Sequence, residues 1–157
     1  DLGNPTCIHP ARKREVGERL AFLALANDYG VKGLPAPAPV YKSMERDGNK
    51  LVLTFDNLPV KARNGVDSFV AFGPDGYRRP AGFEIAGEDR VFHPAVANFK
   101  YWDNRIEVSS DRVPEPVAVR YAFRNYCPEA NVVTTMGQPL APFRTDDWPL
   151  DDIGEIR

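Results

Sequence analysis

Cysteine is almost missing from this chain, which holds only Cys7 and Cys127 among its 157 residues. Two thiols so far apart make neither a disulfide scaffold nor a metal site with ligand spacing. A bridge between them requires Cα atoms within about 7 Å, which is a question for the fold. Excess charge is missing too. Twenty Lys and Arg face 22 Asp and Glu, a formal net charge of −2, and that balance gives no electrostatic reason to expect a nucleic-acid or anionic-membrane partner. No apolar run approaches the roughly 20 residues of a membrane span. The longest, Leu20 to Ala26, belongs to an amphipathic pattern.

Several catalytic and binding signatures are also lacking. Ser43, Ser68, Ser109 and Ser110 stand in strand-like or turn contexts, without the Gly-Asp-Ser or Gly-x-Ser-x-Gly setting of an exposed nucleophile. The glycines and acids of Gly82 to Asp89 do not have phosphate-loop spacing, and read as a turn beside a short strand. Asp146, Asp147, Asp151 and Asp152 lack the alternation of a calcium loop and read as solvated charge. No metal or cofactor is expected. The chain opens on Asp1 rather than Met and shows no signal peptide, so it is expected to be the processed or truncated remainder of a longer protein.

What is plentiful is proline, at 15 residues, with 12 glycines. They cluster between elements without a period, which indicates many turns in a β-rich chain. The first thirty residues are different. Pro10 suits the first position of a helix, Leu20, Leu23 and Ala24 form an apolar stripe with Val16, and Gly30 follows as a stop. The expected helix runs from Pro10 to Tyr29. Leu34 to Pro39, with alternating prolines, is a stiff connector and the best boundary in the chain.

Beyond the connector the hydrophobic period becomes two. Tyr41–Arg46 and Lys50–Phe55, joined through Asp47-Gly48-Asn49, predict a hairpin. Short strands are expected near Lys61, over Ser68–Phe72, Phe83–Ile85, Val91–His93, Ala95–Trp102 and Arg105–Ser109. Val117, Val119, Tyr121 and Phe123 alternate cleanly with Ala118, Arg120 and Ala122, the strongest strand signal present. After Tyr126 the chain reads as irregular. The expected architecture is an antiparallel β-sandwich over residues 40–157, preceded by one long helix.

Chemistry has few places to sit. His9, just before the helix, is either a general base at a loop-to-helix junction or an ordinary surface histidine. A base needs a nucleophile and an orienting partner. Three residues upstream, where an orienting Asp would stand, is Thr6; Asp1 is the nearest carboxylate before it. His93 reads as a strand-end residue. Arg120 is either paired within the sheet or turned outward. Tyr101, Trp102 and Trp148 are either sugar-stacking aromatics or packing residues, and packing is the better reading.

A resemblance sharpens this. Asp1-Leu-Gly-Asn-Pro-x-x-Ile-His9-Pro10, followed by Lys13-x-Glu15-Val-Gly17-x-Arg19-Leu-Ala, resembles the end of the catalytic domain in sialate O-acetylesterases, carbohydrate esterases of the SGNH hydrolase superfamily. The likeness continues in order through Pro39-Val-Tyr41-Lys-Ser-Met44, Leu53-Thr-Phe-Asp56-Asn57, Gly82–Asp89, Phe92-x-Pro94-Ala95, Val108-Ser-Ser110, Pro116–Ala122 and Pro142-Phe-Arg-Thr-Asp146. It implies that residues 1–33 close an SGNH-type α/β catalytic domain, with 34–39 as connector and 40–157 as a C-terminal β-sandwich. His9 would be the catalytic base, oriented by a backbone carbonyl or else by Asp1. The serine and oxyanion donors would lie on a preceding segment, and the partners would be that segment and an O-acetylated sugar. The resemblance further implies a secreted or periplasmic enzyme, and an inactive isolated chain. The competing expectation is a non-catalytic β-sandwich module that packs on a catalytic domain or grips glycan.

Overall fold

A computed structural model describes residues 1–58, 69–73, 76–77, 79–100 and 103–150, with side-chain placement left out for 72, 73, 76 and 77. The expectations about Lys61, Ser68, Tyr101, Trp102, Asp151 and Asp152 lie outside the described residues. The helix, α1, covers Lys13–Asn27. It begins three residues later than expected: Pro10 lies ahead of the N-cap Arg12, which provides no side-chain cap. It ends at Asn27 rather than Tyr29, ahead of the stop at Gly30. The Asp28 N–H donates to the Ala24 carbonyl at 2.8 Å and that of Val31 to Leu25 at 3.0 Å, with Gly30 in the left-handed region at φ 67.

Eleven strands follow among the described residues: β1 Val40–Asp47, β2 Lys50–Asp56, β3 Phe69–Gly73, β4 Gly76–Tyr77, β5 Phe83–Ala86, β6 His93–Pro94, β7 Val96–Lys100, β8 Arg105–Ser109, β9 Ala118–Tyr121, β10 Val132–Thr134 and β11 Phe143–Arg144. The chain is mainly β, as expected. All pairings are antiparallel, giving sheets ordered β1-β2-β8-β7, β10-β3-β4 and β11-β9-β5-β6. The first hairpin turns through Gly48-Asn49, with Asp47 opposite Lys50. Strands β10 and β11 correct the irregular reading after Tyr126. They are two or three residues long, too short for a period-two pattern to register.

The two four-stranded sheets close on one core. Alternation sends Leu51, Leu53 and Phe55 from β2 and Ile106 and Val108 from β8 inward, to meet Phe83 and Ile85 from β5 and Val119 and Tyr121 from β9. Tyr41 of β1 stacks on Phe143 of β11 at 4.9 Å and so bridges the two sheets, while Phe83 and Tyr121, 4.6 Å apart, are cross-strand neighbours within one of them. The Tyr121 hydroxyl accepts the Val132 N–H at 3.2 Å, and burial pushes its pKa up to about 12.

The connector lies along this body. Pro39 is fully buried and its carbonyl accepts the Ala141 N–H at 3.1 Å. Gln138 Nε2 donates to the Pro35 carbonyl. Helix α1 contrasts with it, having no buried residue. Its half-buried positions are Glu15, Arg19, Phe22, Ala24 and Ala26. The Val16, Leu20 and Leu23 stripe faces out, Leu20 being 62% exposed.

One glycine is required by contact. Gly82 has φ 92, and a Cβ there would sit 2.9 Å from the Ala130 Cα. Gly137 has φ 82 with nothing within 4 Å. Gly137→Ala is therefore expected to cost backbone strain alone, about 1 kcal/mol. Gly82→Ala adds a backbone clash and is expected to cost about 3 kcal/mol. Urea unfolding of both variants checks this, and equal losses would remove the clash from the account.

Candidate functional site

His9 sits on the extended segment ahead of α1 and is exposed. Its backbone N–H lies 3.4 Å from Cys7 Sγ, and the Cys7 thiol points to the His9 carbonyl at 3.5 Å. Among the described residues no side chain hydrogen-bonds its imidazole. Thr6 turns back on Asn4, both its N–H and its hydroxyl reaching Asn4 Oδ1 at 2.9 Å. Asp1 is held elsewhere: Arg19 donates to its two carboxylate oxygens at 2.9 and 2.6 Å. This forked pair ties the start of the segment to the middle of α1 and fixes the loop that carries His9.

The serines do not converge on His9. Ser43 lies at the irregularity in the β1–β2 register, Ser109 closes β8, and Ser110 Oγ donates to the Pro94 carbonyl at 3.2 Å. His93 is half-buried within β6, opposite Ile85. Cys7 and Cys127 are free thiols. Burial, the largest influence on Cys127, raises its pKa, so it is not a poised thiolate.

Arg120 and Asp146 form a forked ion pair whose side chains are largely withdrawn from solvent. Because Arg120 points outward between inward Val119 and Tyr121, and lies opposite Arg144 on β11, Asp146 two residues on can reach it. Arg120 Nε and Nη2 donate to both Asp146 oxygens at 2.9 and 2.7 Å. The Asp146 side chain is 1% exposed, which corrects its reading as solvated charge. Rings and cations alternate around the pair. Arg120 lies 3.9 Å over Phe92 and 5.7 Å from Phe123, Arg144 is 5.6 Å from Phe123, and Trp148 is 5.7 Å from Phe92 with Arg90 at 5.5 Å. Trp148 is thus a packing residue.

A cavity of about 500 Å³ opens where Asp1 and Gly3 meet the loop after β9 and the 139–142 segment. Arg124, Asn125 and Tyr126 line it. The sequence reading passed over these three residues. The available signal was a polar and aromatic triplet directly after the strongest strand. Among the described residues no cluster of three His, Cys, Asp or Glu can hold a metal ion, and no helix is long and apolar enough to cross a membrane.

The chain matches no protein-family model and no curated protein. It is similar to a solved carbohydrate acetylesterase from Xanthomonas citri, with 42% identity and a TM-score of 0.80 over 94% of this chain. It spans 31% of that protein's length.

The Arg120–Asp146 pair makes stability depend on pH. Burial alone would raise the Asp146 pKa, but the hydrogen bonds and charge of Arg120, with Arg144 beside it, outweigh burial and hold it below the usual carboxylate range. Its contribution is therefore complete above the unfolded-state value of about 3.9 and is lost as pH falls through the lower folded value. Asp146→Asn should lose on the order of 3 kcal/mol at pH 7, since it strands a half-buried guanidinium. The difference from wild type should shrink toward pH 3. Urea midpoints at both pH values test this, and a constant difference contradicts it.

Proposed function

We propose that this chain is the C-terminal part of a carbohydrate O-acetylesterase of the sialate type, with His9 as general base and the serine nucleophile on a preceding segment of the same enzyme. The observation that carries this reading is the 42% identity to the Xanthomonas citri carbohydrate acetylesterase across 94% of the chain. The exposed imidazole of His9 and the open apolar face of α1 agree with a site completed by further chain. Covering Val16, Leu20 and Leu23 would contribute on the order of 1–2 kcal/mol each. The SGNH-type catalytic domain, which residues 1–33 would close, is the natural cover.

In this mechanism His9 accepts the serine proton as the serine oxygen attacks the acetyl carbonyl. Donors on the preceding segment hold the oxyanion. His9 then gives its proton to the departing sugar oxygen, leaving an acetyl-enzyme. It next takes a proton from water, whose oxygen attacks the acetyl group, and returns that proton to serine as acetate leaves. Asp1 already gives both carboxylate oxygens to Arg19, which favours a backbone carbonyl as the group that orients the imidazole. The role of Asp1 is then to hold the loop through Arg19. The resemblance to secreted esterases further supports a secreted or periplasmic location.

His9→Ala in the complete enzyme is expected to lower acetate release from an O-acetylated sugar by about 10³-fold or more. Residues 1–157 alone are expected to release none. Wild-type turnover by the variant, or His9-dependent hydrolysis by the isolated chain, defeats the proposal.

A further inference from the structure

The cavity of about 500 Å³ has the size of a small-molecule site, but its lining carries a more specific message. Its floor is apolar, made by Val132 and Leu140 with the buried ring of Tyr121. Its rim is polar, made by Arg124, Asn125 and Tyr126. Tyr126 is 39% exposed, enough for a ring face to meet a ligand. Asn125 is exposed and its amide makes no bond to the described residues, which leaves two N–H donors and a carbonyl acceptor available.

The charges at this cavity are already matched. Arg124 is bound by Glu129 and lies 3.9 Å from Glu84, while both Asp1 oxygens are taken by Arg19. An anionic ligand would have to compete with two carboxylates for the Arg124 guanidinium. A ligand with an apolar face and several neutral hydroxyls meets no such competition. A pyranose ring has that character: its C–H face suits Tyr126 and the apolar floor, and its hydroxyls suit the amide of Asn125.

We propose that this cavity is a subsite for a neutral sugar residue, formed jointly by the segment that leads to His9 and the loop after β9. Resting on the esterase reading above, it would bind a sugar unit of the glycan next to the acetylated one. The β-rich part then contributes directly to substrate binding, and the enzyme selects glycans by a neighbour of the sugar it deacetylates.

The test is a titration of isotope-labelled chain 1–157, followed by amide chemical shifts. The probes are a panel of neutral β-linked gluco-, xylo-, manno- and galacto-oligosaccharides, with sialyllactose as the anionic comparison. At least one neutral probe should shift amides within Arg124–Ala130 saturably. Tyr126→Ala and Asn125→Ala, both at exposed positions, should each weaken that binding about tenfold. His9→Ala should leave it unchanged. Absence of saturable shifts with every neutral probe overturns the subsite, as does binding that both rim variants leave intact. Tighter, salt-sensitive binding of sialyllactose at the same amides overturns its neutrality. Because binding needs no serine, loss of activity in His9→Ala enzyme alongside no sugar binding would sink the subsite and spare the esterase.

Discussion

Everything in the β-rich part depends on alternate side chains from two sheets entering one core. Each strand that crosses it has one face committed: Leu51, Leu53 and Phe55 on β2, Ile106 and Val108 on β8, and Val119 and Tyr121 on β9. Slipping any of them by one residue would send apolar groups to solvent. The commitment also decides what faces outward. Arg120 is outward because its neighbours are inward, and from there it meets Asp146 and the ring of Phe92. The polar cluster on the outer face is thus a consequence of core register.

That dependence explains what could be read from the chain. Strand β8 follows its period-two pattern closely, its burial alternating over all five residues, whereas in the first hairpin β1 carries an irregularity between Tyr41 and Ser43 and Val52 of β2 is buried along with Leu51 and Leu53. Strand β9 is shorter than the pattern from Val117 to Phe123, because Ala122 adopts φ 46 and ends the extended run. Strands β10 and β11 exist through pairing with β3 and β9, and so are tertiary in origin. The helix was legible in its body and in the stop at Gly30, but it is shorter at both ends than expected, most at the start, where Pro10 served as an attractive yet misleading signal. Asp146 looked like solvent-facing charge in sequence. Its burial follows from a partner 26 residues away.

The candidate site was legible only in part. His9 stood out through its position before a helix and through an ordered likeness along the chain. Nothing local could show that Asp1 binds Arg19, eighteen residues on, or that Gly3 and Tyr126 line one cavity. Those facts depend on how the N-terminal segment lies against the strands. A periodicity argument contains no information about that arrangement.

The connector between these parts carries a mechanical consequence. Alternating prolines usually suggest a spacer that holds two bodies apart. Here Pro39 is buried and bonded to Ala141, and Gln138 reaches back over 103 residues to the Pro35 carbonyl. The segment behaves as a clamped beam rather than a tether, its exit direction set by residues near the opposite end of the chain. Adding or removing one residue between Leu34 and Pro39 would rotate the helix and the His9 loop as a unit. The direction in which the His9 segment leaves the β-rich part is therefore set by the stretch between β10 and β11 that carries Gln138 and Ala141.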